Sequence, residues 1–551
     1  MKKIHILFAA ALLFAGCSLD VEPETTLADT NFWKSETDLR GACNRLYIDL
    51  PGFSHDLRSD ELVGPNQNGI SSGNRSVPGT SGDWTDPYDR IGVCNNIIVK
   101  GEIAPLDQET KNRWIAEARF FRAYHYFDLV KKYGDVPLIL KVFDSTKDPE
   151  IVRGRDPREQ IIQQCYEDLN FALMYLPKFN KLTGNDWGRV SQSAALGMIV
   201  RIGLYEGTHK KYHQTPGGDY KDHLKKAIDA AETLIYKEKQ HELYPDFSKL
   251  FLLEGEGSKE SVFIKVYGPN DAGIIVHRNS RGLENAAAVT RSMIDNFLYA
   301  DGLPREKSSL VVRPEVKYSD IINNRDPRLS MTVYSIGEDA YKGPYTPFKT
   351  DDQTHGYGYP IKKGFMLSEW STNGKEVVDK MIIRYAEILI SYAEALYEYN
   401  GSISDEKLGD TVNEIRRRVG FNVALTNDFV TRNQLNMLDE IRRERMIEFI
   451  DEGLHYDDII RWKTAEKVLP NTVLGLLYNA DETTVTQGEL GGRLTDENGF
   501  YQGKKVYDEG NIFVIEEGES RNFDPVRDYL YPIPTYEIST SGGNIKQNPK
   551  W

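Results

Sequence analysis

Apolar and polar positions follow a helical period over most of this chain. The clearest stretch is Trp114 to Leu138, WIAEARFFRAYHYFDLVKKYGDVPL, where Trp114, Ile115, Ala118, Phe121 and Leu129 recur at three- and four-residue steps. The spacing predicts one long buried helix, stopped by Gly134 and Pro137. Its ionisable residues, Glu117, Arg119, Arg122, His125 and Asp128, could mark an active site. A buried charge persists only when paired, however, so we read them as paired core charges, with Arg113 to Glu117 as one local pair and His125 as a hydrogen-bonded core histidine.

The same period predicts a helix in TNFWKSETDLRGACNRLYIDL, with Leu39, Cys43, Leu46, Tyr47 and Leu50 as its buried stripe. Further helices are expected over 84–99, 156–176, 190–204, 220–236, around 247–252, over 381–399 and over 441–463. Small residues in Val190 to Leu204 would let a neighbouring helix approach closely. Only Ser261 to Gly268 alternates like a strand. Two stretches lose the pattern: Asp60 to Asp83, dominated by Gly, Asn, Ser and Pro, and the long segment from about 267 to 380. Loops of such length are usually functional. The class is mainly α, built from successive helix pairs.

Composition narrows the function. At 551 residues, with 40% hydrophobic and 27% charged residues, the chain can bury a large core. A net charge of −15 argues against nucleic acid or anionic lipid as a general electrostatic partner. The sequence contains no HExxH, P-loop, dinucleotide fingerprint, GxSxG or EF-hand loop, and nothing nominates a nucleophile. Two YAE triplets place Glu387 and Glu394 on one helix face roughly 10 Å apart, which invites a glycosidase reading. Arg384 and Arg416 to Arg418 offer the simpler account, carboxylates bonded across helices to guanidinium groups. Cys43, Cys94 and Cys165 lack CxxC spacing and are read as free buried thiols, with no metal and no cofactor.

The N-terminus, MKKIHILFAAALLFAGC, has two lysines, an apolar run too short to span a bilayer, and small residues before Cys17. It reads as a secretory signal peptide over 1–16. Ala15-Gly16-Cys17 resembles a lipobox, which makes Cys17 the lipidated residue, followed by an acidic tether over 17–30 with Asp20, Glu22 and Glu24.

Four separated stretches carry a family resemblance: EARFFRAYHYFDLVKKYGDVPL; WTDPYDRIGVCNNIIV; IRRERMIEFIDEGLHYDDIIRWK; and YLYPIPTYEISTSGGNIKQNPKW. They resemble, in order, the signatures of the SusD/RagB family of Bacteroidetes outer-membrane lipoproteins. The resemblance implies a tetratricopeptide-like helical superhelix with loop-rich insertions and a few short strands. It implies one domain over 31–551: a scaffold over about 31–260 and 381–465, ligand-binding insertions at about 60–84 and 267–380, and an extended C-terminal segment over 466–551. It further implies a non-catalytic, lipid-anchored, surface-exposed glycan binder that serves a SusC-like TonB-dependent transporter. A lid for peptide or other nutrient uptake is the alternative within the family, and a surface glycoside hydrolase the alternative outside it. Ligand contacts would come from loops, so the expected residues are Asp60, Asn66, Asn68, Asn74, Arg75 and Trp84 in the first loop, and Tyr267, His277, Arg278, Arg281, Tyr345, Tyr357, Tyr359 and Lys362 in the second.

Overall fold

Ser35 opens the first helix, α1 (Glu36–Ile48), with a capping box in which its hydroxyl accepts from Asp38 N–H and the Asp38 carboxylate accepts from Ser35 N–H. Leu39, Cys43 and Leu46 form the buried stripe of this helix. In the computed structural model the described residues are 32–551 except 144, 146, 271–272, 350–356 and 373; the expected signal peptide, Cys17 and the acidic tether lie outside them. Helices α2 (Gly82–Ile103), α3 (Gln108–Tyr133), α4 (Arg158–Tyr175), α5 (Gln192–His213) and α6 (Tyr220–Glu232) follow, each packed on the next. Close approach of α5 to α6 depends on Gly203, where a Cβ would lie 2.7 Å from the His223 carbonyl and 2.9 Å from Ala227 N. Helix α7 (Tyr385–Asn400) then covers α5 and α6, α8 (Met437–Glu448) packs on α7, and α9 (His455–Arg461) returns to α5. One continuous apolar cluster runs from Leu39 through these helices to Ile545.

The predicted central helix is present and longer at its start. Asp107 caps it by accepting from Thr110 N–H (2.9 Å), and Gly134, at φ 74°, ends it as expected. Three other expectations need correction. The Met381 start of a helix is a strand: β2 (Lys380–Arg384) pairs antiparallel with β1 (Ser261–Lys265), and α7 begins only at Tyr385. The 441–463 stretch is α8 and α9, separated by a turn with Asp451 at φ 63° and Gly453 at φ 74°. Around 247–252 the chain makes turns that lead into a 3-10 turn, Leu253–Gly255; the segment is too short to nucleate a helix, and burial of Phe247 and Leu250 holds it instead.

The two irregular stretches are joined. Leu62–Val63, Ala288–Val289 and Tyr359–Pro360 form a three-stranded antiparallel sheet, and a second apolar cluster gathers around it. The C-terminal segment lies across the helices, with Tyr531 N–H donating to the Lys132 carbonyl (2.7 Å) and Asn548 Nδ2 donating to the Tyr133 (3.2 Å) and Tyr531 (2.8 Å) carbonyls.

Candidate functional site

Helix α3 divides its polar residues between two tasks. In the first half, Glu117 is fully buried and takes Arg189 (2.7 Å), Arg113 (2.8 Å) and the Tyr47 hydroxyl (3.0 Å). Arg122 donates to both oxygens of Asp168 on α4 (2.8 and 2.6 Å) and to Asn95 on α2 (2.9 Å). These are the expected core pairs, made mostly with partners from other elements.

The second half of α3 faces a cleft. Tyr124, His125, Asp128, Lys131 and Lys132 line a space of about 860 Å³, closed on the other sides by 48–58, by Lys380 to Ile382, by the turn between α8 and α9, and by Tyr529 and Tyr531. Its charges are largely locked in pairs. Arg58 clasps Asp56 through two bonds (2.8 and 2.7 Å), donates to the Tyr531 hydroxyl (3.0 Å) and lies 4.4 Å over the Tyr456 ring. Lys131 pairs with Asp457, and Lys132 bridges Asp83 (2.7 Å) and Asp128 (3.0 Å). Burial opposes ionisation of Asp128, but Lys132 and Lys131 beside it hold the carboxyl below its ordinary value.

His125, Tyr124 and Tyr456 are polar groups of the cleft that stay uncommitted. Burial, reinforced by Arg90, pushes His125 down to about 4, so the ring is neutral near pH 7; it is only 3% exposed. Among the described residues, neither ring nitrogen of His125 has a hydrogen-bond partner, nor do the hydroxyls of Tyr124 and Tyr456. The expectation of a hydrogen-bonded core histidine is therefore corrected. Positions 124, 125, 128, 131 and 132 fall on one helical face, so the polar stripe was visible in the sequence.

The expected loop residues do not converge on this cleft, where Asn68 is their one representative. Asn68 is itself tied up locally, its side-chain oxygen accepting from Ile70 N–H (2.8 Å). Trp84, Tyr345 and Tyr359 are core residues, 3%, 4% and 0% exposed, because each ring packs on other aromatics: Trp84 on Tyr133, and Tyr345 and Tyr359 on Tyr318. Tyr267 is buried, with His277 and Phe53 half-buried beside it in an aromatic cluster; desolvation pushes His277 to about 4 while its ring nitrogen contacts the Val378 carbonyl (3.0 Å). Asp60 pairs with His455 (2.9 Å). Asn74 and Arg75 bind the C-terminal segment, Asn74 at Ser520 (2.8 Å) and Arg75 at Asp528 (3.0 Å). Arg281 lies 3.8 Å over Trp370 and donates to its carbonyl, and Lys362 pairs with Glu338 (2.7 Å). Tyr357, at φ 62°, packs on Phe513. Asn66 and Arg278 are exposed.

Glu387 and Glu394 are both held in ion pairs. Arg201 takes both oxygens of Glu387 (2.8 and 2.6 Å); Arg461 takes both of Glu394 (2.7 and 2.7 Å), joined by Trp462 Nε1 (2.6 Å). Cys43, Cys94 and Cys165 are free and buried, as expected. Among the described residues no group of three or more His, Cys, Asp or Glu could hold a metal ion.

Residues 261–551, more than half of the chain, match the model of the SusD family. The chain belongs to the SusD family. Residues 72–204 also match a family model described as starch-binding and associating with the outer membrane. SusD-like protein P2 of Formosa agariphila is 26% identical over 100% of both chains. A SusD-like protein of Bacteroides ovatus is 24% identical over 98% of this chain and 96% of the relative. The crystal structure of a SusD-like carbohydrate binding protein from Bacteroides fragilis matches with a TM-score of 0.74 at 24% identity, covering 92% of this chain and 98% of that one. The fold is thus the SusD one, mainly α and tetratricopeptide-like, as the four sequence stretches implied.

Proposed function

We propose that this SusD-family chain is a non-catalytic, lipid-anchored glycan-binding protein of the outer-membrane surface, which captures oligosaccharide or polysaccharide and passes it to a SusC-like TonB-dependent transporter. The observation that carries the reading is the cleft beside α3. Its volume of about 860 Å³ falls within the range of ligand sites, roughly 300–1,000 Å³, and its walls combine tyrosines with polar groups that can engage hydroxyls. The carboxylate pair that would serve a glycosidase is committed to guanidinium groups instead. A carbohydrate-binding relative of the same fold supports the ligand class. Tethering through Cys17 would raise the local concentration of a weakly held ligand at the transporter. Exposed Asn66 and Arg278 are retained as proposed loop contacts outside the cleft.

Calorimetric titration of the mature protein against a polysaccharide panel, with reducing-sugar release measured in parallel, tests the proposal. Binding without turnover is expected. Steady release of reducing sugar, or retention of peptides and no glycan, would overturn it. Membrane anchoring that survives Cys17→Ala would defeat the lipid anchor, and failure to co-purify a TonB-dependent transporter from the native membrane would defeat the delivery step.

A further inference from the structure

The cleft is built for a ligand without charge. Its lining holds six cationic side chains, Arg58, Arg90, Lys131, Lys132, Arg201 and Lys380, against six carboxylates, Asp49, Asp56, Asp83, Asp128, Asp457 and Glu452. Most of the cations already hold an anion: Arg58, Lys131, Lys132 and Arg201 through the contacts described above. Of the remaining two, Lys380 donates to the Gly52 carbonyl (2.7 Å) beside the Phe53 ring, and Arg90 lies 3.8 Å from Asp49. Glu452 in turn accepts from Arg384 (2.7 and 2.8 Å) and Lys363 (2.6 Å). A sulfate or carboxylate entering this space would meet four cations already paired, Lys380 and Arg90 less closely engaged, and six carboxylates beside them. Displacing one partner leaves a charge poorly solvated, which is costly in a partly buried site.

The uncommitted groups are of another kind. A neutral imidazole offers one donor and one acceptor, and a phenol offers both from one oxygen. His125, Tyr124 and Tyr456 therefore match sugar hydroxyls, each of which donates and accepts. We infer that the cleft binds an uncharged sugar chain through hydroxyl contacts to His125, Tyr124 and Tyr456, and discriminates against sulfated and carboxylated glycans. The inference rests on the glycan-binding reading above and assigns its ligand class and contacts.

The test uses the mature protein and matched polysaccharides: starch, xylan, mannan and galactan as the neutral set; polygalacturonate, alginate and carrageenan as the anionic set. Each is titrated at about 50 and about 500 mM NaCl, because screening weakens attraction between charges and leaves neutral hydrogen bonding nearly untouched. The expected result is binding to a neutral glycan with an affinity that changes less than about twofold with salt. Tyr124→Phe and Tyr456→Phe, which remove one hydroxyl each, should weaken it about fivefold apiece with unchanged thermal midpoint. Binding confined to anionic glycans and lost at high salt overturns the inference while leaving glycan binding in place. Neutral binding unaffected by either substitution overturns the assignment of the cleft. Folded protein that retains no carbohydrate overturns both readings together.

Discussion

Replacing Glu394 by Gln separates a structural carboxylate from a catalytic one. Both of its oxygens accept from Arg461, Trp462 Nε1 adds a third bond, and its side chain is 0% exposed. Burial opposes ionisation, yet Arg461, supported by Arg442 and Arg445, holds the carboxyl at about 2. The amide keeps one acceptor oxygen and turns N–H groups toward a guanidinium that can only donate. Breaking a buried ion pair costs about 3–5 kcal/mol. Arg461 retains Asp458 (2.9 Å), so Glu394→Gln falls at the low end, about 3 kcal/mol. Glu387→Gln should cost only about 1 kcal/mol, because 18% of the Arg201 side chain is exposed and water reaches the guanidinium it leaves behind. With an unfolding entropy of about 2.1 cal/mol/K per residue, a chain of this length has roughly 1.1 kcal/mol/K, so the Tm of Glu394→Gln drops by about 3 °C. Guanidinium unfolding followed by circular dichroism, with calorimetry, measures both variants. Equal small losses in the two would refute the structural assignment. So would reducing-sugar release by the parent protein that disappears in Glu394→Gln at unchanged Tm.

Stability should peak near pH 6.5. His125, His213, His241 and His277, each pushed to about 4 with burial as the largest cause, stay neutral in the fold but protonate near 6.5 in the unfolded chain, so their contribution is lost as pH falls toward 4. On the alkaline side burial opposes the charge on His455, but Asp60 raises it to about 9; that contribution is complete below 6.5 and lost as pH rises through 9. Glu61, raised to about 8 by burial, holds its proton in the fold and adds a loss of stability from 4.5 up to 8. A Tm that climbs steadily from pH 5 to 9 would contradict these assignments. Gly73→Ala should loosen the clamp between the first loop and the C-terminal segment: Gly73 has φ 68°, and a Cβ would sit 2.5 Å from the Asn522 backbone. A loss of about 2 kcal/mol or more is expected, with faster amide exchange around 520–528 as the readout. The three core thiols should resist a water-soluble thiol reagent in the native protein and all react on unfolding; burial raises each above its ordinary value, and rapid native labelling of any one would place it outside the core.

The scaffold was legible because its helices carry their own period and stops, as at Gly134. Where a partner distant in sequence decides the structure, the period misleads. Met381, Ile382 and Ile383 run straight into a strongly helical stretch, and only pairing with Ser261–Lys265 makes them a strand. The same holds for the second loop region, whose tyrosines looked free for a ligand. Short strands from Leu62 to Pro360 bring them together, and Tyr345 and Tyr359 close a second core that alternation along the chain does not announce.

Helix α3 poses the problem most sharply: its second half carries a polar stripe, but the helix is buried nearly all round and the stripe alone does not say which of its residues stay unpaired. What distinguishes them is whether another element supplies an opposite charge. Asp168 comes from α4 to meet Arg122, and Arg189 from the approach to α5 to meet Glu117. For His125 none comes within bonding distance: it packs on Phe121 and Tyr124 of its own helix, and burial and the nearby Arg90 outweigh the weaker pull of Asp128 and Asp49. A buried imidazole without a partner is costly unless water or a ligand hydroxyl completes it. The ring opens onto the cleft, so the completing group comes from there, and the cleft stays polar for a visitor. Replacing His125 with Phe should therefore leave stability nearly unchanged or raise it while weakening glycan binding about fivefold or more, and a stability loss with binding intact would return His125 to the core.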